Sequence, residues 1–379
     1  MSNYDQYGDI SAFHPGFYIA ELIEDMGISQ EEFARRMGTS AKTVSKLVNG
    51  EVNLSKNLAS KLSSMMGTSI DLWLNLQLNY DKKIWEMERI QELHAQEAIA
   101  RQIDYSYFVK HRLLPKASSI LEKTANLCAY LKISNLNYLT EPQAGANFRM
   151  GVPAFELKNV IAAQVWLQTA INVSESLENV AFNATLLRKT LPEIRGLTLS
   201  PPGEFMPKLT ELLRSAGVSF VLLPYLKNSA IHGVVKWNGA NQVLLAMNDR
   251  RKYLDTFWFS LFHEIQHVMQ QKIKKVIFDG DNKGLISVDR NMEEEADQFA
   301  RDFLISPMDY AVFCRAGQFS EKDILAFSQD IHIHPGIVVG RLQTDKLILR
   351  SSCNHLREKW SVEDFSSLML SSMDASVTR

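Results

Sequence analysis

The stretch that most constrains this chain is residues 256–272, TFWFSLFHEIQHVMQQK. It holds His263-Glu264-Ile265-Gln266-His267 in an apolar run long enough for a helix. Histidines four residues apart lie on one helix face, about one turn from each other. Both imidazoles can then bind one zinc ion, and Glu264 between them can polarise the fourth ligand, a water. A lone histidine pair on an apolar helix is commonly a matter of packing. The intervening glutamate and the flanking apolar face favour a metal site here.

A zinc site of this kind needs a third protein ligand. Downstream lies NMEEEADQFARDFLISP, residues 291–307, in which Met292, Ala296, Phe299, Ala300, Phe303 and Leu304 recur at helical spacing. Glu293 and Asp297 are four apart and share a face. Glu293 can complete a His-His-Glu set, and Asp297 can accept a hydrogen bond from a ligand imidazole and fix its tautomer. The alternative is a solvated acidic start to a helix, where negative charge suits the dipole. Adjacent glutamates cannot all face one ion. Glu293 is preferred over Glu294 and Glu295, at least one of which is surface.

These strings resemble the ImmA/IrrE-type zinc metallopeptidase domain. The resemblance lies in HEIQH, in EEEADQFARDFLISP, in the strand-rich approach SAGVSFVLLPYLKNSAIHGVVKWNGANQVLLAMNDRR and in IHPGIVVGRLQTDKLI, and it covers roughly residues 202–360. It implies a zincin-like α+β domain, His263, His267 and Glu293 as zinc ligands, and Glu264 as general base. The family usually has glycine before the second histidine, where this chain has Gln266. A larger side chain there narrows the space beside the metal. An oxyanion donor would also be needed, with His232, Tyr253, His332 and His334 as candidates.

A second informative stretch is ISQEEFARRMGTSAKTVSKLVNGE, residues 28–51. Ser29 is suited to cap a helix, and Glu32 three residues on completes a capping box. Phe33, Ala34 and Met37 form the apolar face of that helix. Gly38-Thr39-Ser40 is a tight turn, with Gly38 suited to a left-handed helix end. Ser40 then caps a second helix, 41–48, closed by Asn49-Gly50. Two helices joined by a short glycine-containing turn form the helix-turn-helix pattern. Residues 14–78 resemble the Xre/HigA class of repressor and antitoxin domains. The resemblance implies that Ala41, Lys42, Ser45 and Lys46 face the major groove and that Gln30 and Thr43 contact phosphates. The competing reading is a helical hairpin that binds protein. Residues 15–66 hold six Lys/Arg and six Asp/Glu, but five of the acidic residues come first and Arg35, Arg36, Lys42, Lys46, Lys56 and Lys61 follow, with only Glu51 opposing them. One face is thereby positive, as phosphate contact requires. Binding by a single such module is modest, so a homodimer on a palindromic double-stranded operator is expected.

The whole chain is consistent with several domains. Its 379 residues carry a net charge of −2, so nucleic-acid binding must be local. The three cysteines, Cys128, Cys314 and Cys353, are far apart and suggest neither a disulfide framework nor a thiolate zinc site. The start lacks a signal-peptide pattern and no apolar run is long enough to span a membrane, so a cytoplasmic location is expected. The expected layout is a helix-turn-helix domain at 14–80, a helical linker or dimerisation region at 81–200, the α+β domain at 201–360 and a flexible tail at 361–379. Within it, one long helix or two in line run over 71–102, helices cover 117–131 and 154–188, and a loop spans 140–153. A helix at 204–216 leads to strands near 218–223, 231–237, 242–247 and 276, and two smaller helices follow the Glu293 helix. The leading functional reading is a DNA-binding regulator of the antitoxin type with a cognate toxin or other protein partner. The alternative is an active zinc endopeptidase that cleaves a partner protein such as a repressor or toxin.

Overall fold

The computed structural model describes residues 4–140, 157–177, 180–239, 241–270, 276–280 and 290–362. Most of the expected 140–153 loop and the tail beyond Val362 lie outside them. The chain divides into two compact units, residues 1–98 with 119–125, and residues 99–118 with 126–379.

The first unit opens with an antiparallel hairpin of β1 (Tyr4–Tyr7) and β2 (Ile10–Phe13), in the register Tyr4↔Phe13. The sequence reading did not foresee it. Five helices follow: α1 (Pro15–Asp25), α2 (Gln30–Arg36), α3 (Ala41–Val48), α4 (Lys56–Met66) and α5 (Ile70–Ala95). Each starts at a side chain that accepts a backbone N–H, namely His14, Ser29, Ser40, Ser55 and Ser69. Gly38 ends α2 at φ +66°, the left-handed conformation its position called for. Ile19, Phe33, Leu47 and Leu62 are wholly buried at the centre of this unit's core, with Ala34, Val44 and Trp73 beside them.

The capping box at Ser29 is only half made. Ser29 Oγ accepts the Glu32 N–H at 3.2 Å, but the Glu32 carboxylate accepts from Arg36 Nε at 2.8 Å and from Arg35. Charge-assisted bonds to two guanidiniums outcompete a neutral backbone N–H.

Helices α1 and α3 meet at Gly16, where an added Cβ would fall 1.9 Å from the carbonyl oxygen of Leu47. Because the obstacle is backbone, Gly16→Ala is expected to cost about 2–3 kcal/mol through overpacking. Urea unfolding of the full chain reads the loss. Gly203→Ala, where the new Cβ meets nothing within 4 Å, is the control. Equal midpoints for the two variants would contradict this close approach.

Helices α6 (Glu97–Ala100), α7 (Tyr105–Lys110) and α8 (Ile120–Leu131) come next in the chain. In the second unit, α9 (Leu157–Ser174), α10 (Ala184–Gly196) and α11 (Pro202–Ser215) lead to the sheet. Its strands are β3 (Val218–Leu223), β4 (Ile231–Trp237), β5 (Val243–Asn248) and β6 (Val276–Gly280), in the order β3-β5-β4-β6. β3 runs parallel to β5, while β4 is antiparallel to both β5 and β6. Every residue of β5 is buried, which explains why VLLAMN is a near-continuous apolar run rather than an alternating one.

Helix α12 (Leu254–Gln270) packs on β4 and β5 and lies beside α13 (Arg290–Leu304). Three helices follow where two were expected: α14 (Pro307–Ala316), α15 (Glu321–Asp330) and α16 (Pro335–Thr344). The extra start is marked by a reciprocal capping box. Ser320 Oγ accepts the Asp323 N–H and Asp323 Oδ2 accepts the Ser320 N–H. α16 approaches α12 so closely that a Cβ on Gly340 would fall 2.5 Å from Asp255 Oδ2. The chain then returns to the start of α12, where Leu254 N–H donates to Glu358 O and Trp360 N–H to Lys252 O.

Candidate functional site

α12 and α13 bring the three expected metal ligands together. One donor atom from each of His263, His267 and Glu293 lies within 4.8 Å of the others. His263 Nε2 and His267 Nε2 are 3.0 Å apart. Glu293 places Oε2 at 3.5 Å from His263 Nε2 and Oε1 at 3.2 Å from His267 Nε2. Two ligands on a tetrahedral zinc with bonds near 2.0–2.1 Å stand about 3.3 Å apart, so these separations suit the ion. The donor set also has the right chemistry. Burial pushes the Glu293 carboxyl up, but the neighbouring His263 and His267 rings outweigh it and hold the group down to about 2. Glu293 is therefore an anion throughout the neutral range.

Both imidazoles are oriented from behind. His263 Nδ1 lies 3.0 Å from Asp297 Oδ1, the arrangement expected of Asp297. His267 Nδ1 lies 2.9 Å from Gln270 Oε1. Gln270 was not singled out from the sequence, and its amide donates onward to Met292 O and Glu295 Oε2. It thus joins α12 to α13 and gives Glu295 a positioning task. The spacing His267–Gln270, three apart on one face, was the available signal. Such second partners fix the tautomer that leaves Nε2 facing the metal position.

Glu264 is wholly buried, and its carboxyl group lies against Gly233 of β4, where a Cβ would fall 2.3 Å from Oε1. Glycine in that strand makes room for the carboxylate. Of the four oxyanion candidates, His232 is buried on β4 next to Gly233. The other three are placed differently. His334 caps α16, with Nδ1 accepting the Gly336 N–H at 3.1 Å. The Tyr253 ring lies under the Arg357 guanidinium at 4.3 Å. His332 is exposed in a left-handed turn at φ +55°.

In the first unit, α3 buries Val44, Leu47 and Val48 and turns the opposite face outward. Ala41, Lys42 and Lys46 are exposed and Ser45 is half-buried on it. Gln30 is exposed at the start of α2. The Thr43 hydroxyl is 2.8 Å from Ser40 Oγ, so it shares the helix cap. Arg35 and Arg36 are tied to Glu32, which leaves Lys42 and Lys46 as the cations of this helix face. Lys61 Nζ donates to Gly38 O at 2.5 Å and clamps the turn between α2 and α3.

Residues 19–73 match the family model described as Helix-turn-helix. The N-terminal region is therefore a helix-turn-helix domain, a DNA-binding fold. Among solved structures, the chain is similar to an antidote protein of a plasmid maintenance system from Nostoc punctiforme. That likeness is at 28% identity and a TM-score of 0.21, and it covers 23% of this chain and 94% of that one. It is also similar to an addiction module antidote protein of a HigA family from Coxiella burnetii, at 30% identity and a TM-score of 0.19. In that case the match covers 19% of this chain and 79% of the other. No curated protein matches the chain. Among the described residues, no helix is long and apolar enough to cross a membrane.

Proposed function

We propose that this chain is a DNA-binding transcriptional regulator of the antitoxin type whose second unit carries a zinc centre. The observation that carries the reading is the helix-turn-helix domain with its capped α3 and outward-facing Lys42 and Lys46. In this reading α3 enters the major groove, Ala41, Lys42, Ser45 and Lys46 meet base edges and phosphates, and Gln30 and Thr43 meet the backbone. A homodimer would set two such helices about 34–36 Å apart on a palindromic site. The protein partner is a cognate toxin, a reading that rests on the resemblance of residues 14–78 to Xre/HigA domains.

His263, His267 and Glu293 would hold zinc, with Asp297 and Gln270 fixing the two imidazoles. When bound, the ion would supply Lewis acidity and a fixed positive charge. The second reading, a zincin-like peptidase, is favoured by one observation, the placement of Glu264 next to His263 on the same helix. Glu264 would then serve as the proton acceptor and His232 would be the nearest candidate to stabilise an oxyanion. The complete burial of Glu264 against β4 suits a regulatory centre better than a cleft that admits a peptide backbone, so the regulator reading stands first.

Sequences enriched by the full chain from a random double-stranded pool provide the probe. Replacing both lysines, Lys42→Ala with Lys46→Ala, is expected to weaken binding about a hundredfold and to lower the salt slope by about 2. Unaltered affinity at physiological salt would remove α3 from the interface.

A further inference from the structure

A cavity of about 530 Å³ opens between α12, α13 and α16, with His263 at one edge. Its apolar wall includes Phe259, Leu304 and Ile337, and three arginines reach it: Arg251, Arg301 and Arg341. The two carboxylates on its lining are already committed. Asp255 accepts from Arg357 at 2.8 and 3.0 Å, and Asp297 is bonded to His263. Arg341 is held by Asp345 at 2.7 Å. Arg301 differs: among the described residues its partner is the neutral Gln298, to which a terminal nitrogen donates at 3.1 Å, and no carboxylate pairs with it.

A guanidinium on a partly apolar wall with no carboxylate beside it is an uncompensated charge, and a planar anion matches the geometry of its fork. The volume is that of a small-molecule site, and the combination of an apolar wall with a few convergent charged groups is the usual make-up of one.

We infer that this cavity binds a small organic anion, a carboxylate or phosphate monoester on an apolar body, with its head group on Arg301. The apolar body lies against Phe259, Leu304 and Ile337. The site borders the His-His-Glu triad at His263 and Asp297, but neither the DNA-binding nor the zinc reading is required for it. A small molecule fits better than an acidic peptide, because walls from three helices enclose the space and Asp255 and Asp297 sit on its lining.

Calorimetric titration of the full chain tests this, with zinc content and DNA affinity measured on the same preparation. The probes are 3-phenylpropionate, phenyl phosphate, the uncharged 3-phenylpropionamide and a short acidic peptide. At least one of the two anions should bind once per chain, the tighter naming the head group, and the amide should give no heat. Arg301→Met, which keeps the apolar stem, should weaken the anion at least tenfold. Ile337→Trp should do the same by filling the space, and it serves if the arginine variant fails to fold. Three outcomes overturn the inference: no binding of either anion, equal binding of the amide, or binding of the acidic peptide alone. Loss of zinc or of DNA affinity with anion binding intact would count against those other readings only.

Discussion

Replacing His263 with alanine is expected to abolish zinc binding, from about one ion per chain to none, because two ligands cannot retain a structural or catalytic zinc. His263 is 4% exposed, and its Nε2 sits 3.0 Å from that of His267. At free zinc about a thousandfold above the dissociation constant, the lost linkage is about 4 kcal/mol, or about 10 °C in the melting temperature of a unit this size. The same shift should follow from adding a chelator to the parent and be absent in the variant. Glu294→Ala, at an exposed position outside the triad, should keep its zinc. No zinc in the purified parent would reduce the triad to a histidine–carboxylate hydrogen-bond cluster. The regulator reading would then stand on the helix-turn-helix alone.

Arg357→Met is expected to cost about 3–5 kcal/mol at neutral pH, because it leaves the buried Asp255 charge without a partner. Arg357 gives Asp255 two hydrogen bonds, gives Gln343 a third and stacks on Tyr253. Burial already pushes the Asp255 carboxyl above the ordinary carboxylate range, against the pull of Arg357. Without the arginine it rises further. A carboxyl with a raised folded-state pKa releases its proton on unfolding, so stability falls as pH climbs from the unfolded value near 3.9 through the folded one. The deficit of the variant should therefore be small near pH 4 and grow toward pH 7. Adding Asp255→Asn should recover most of it. A deficit independent of pH would show that lost packing on Tyr253, rather than the orphaned charge, sets the cost.

Local features of this chain were legible because they repeat at short range. The strands at 218–223, 231–237 and 243–248 are apolar runs bounded by Gly, Pro and Asn, and they form within a residue of where the sequence places them. Ser29, Ser40 and Gly38 announce the helix ends that they make. Interactions between distant segments were not legible. Nothing in the order of the strands reveals that β5 sits between β3 and β4. The Asp255–Arg357 pair joins residues 102 positions apart. Gly233 reads as a weak point in a strand until Glu264 is seen against it. The first hairpin was missed because YDQY is largely exposed and ISAF fully buries only Ala12, so no hydrophobic face marks them. The half-made box at Ser29 shows the limit of motif reading, since Glu32 had better partners one turn further on.

The two ligand-bearing helices are consecutive in the chain but joined by a long connection, and this gives the triad a mechanical meaning. In the zinc reading, an ion shared by His267 and Glu293 would tie off a loop of about 25 residues. Unlike a disulfide, such a tie acts on the folded state alone, because the ion dissociates when the chain unfolds. It behaves as a clasp that solution chemistry can open without cutting a bond. Acidification or competition for zinc would remove that tie and leave apolar contacts, such as Phe262 stacked on Phe303 at 5.1 Å, to hold α13 to α12. Metal supply would then reach this protein as a change in how firmly α13 is held to α12.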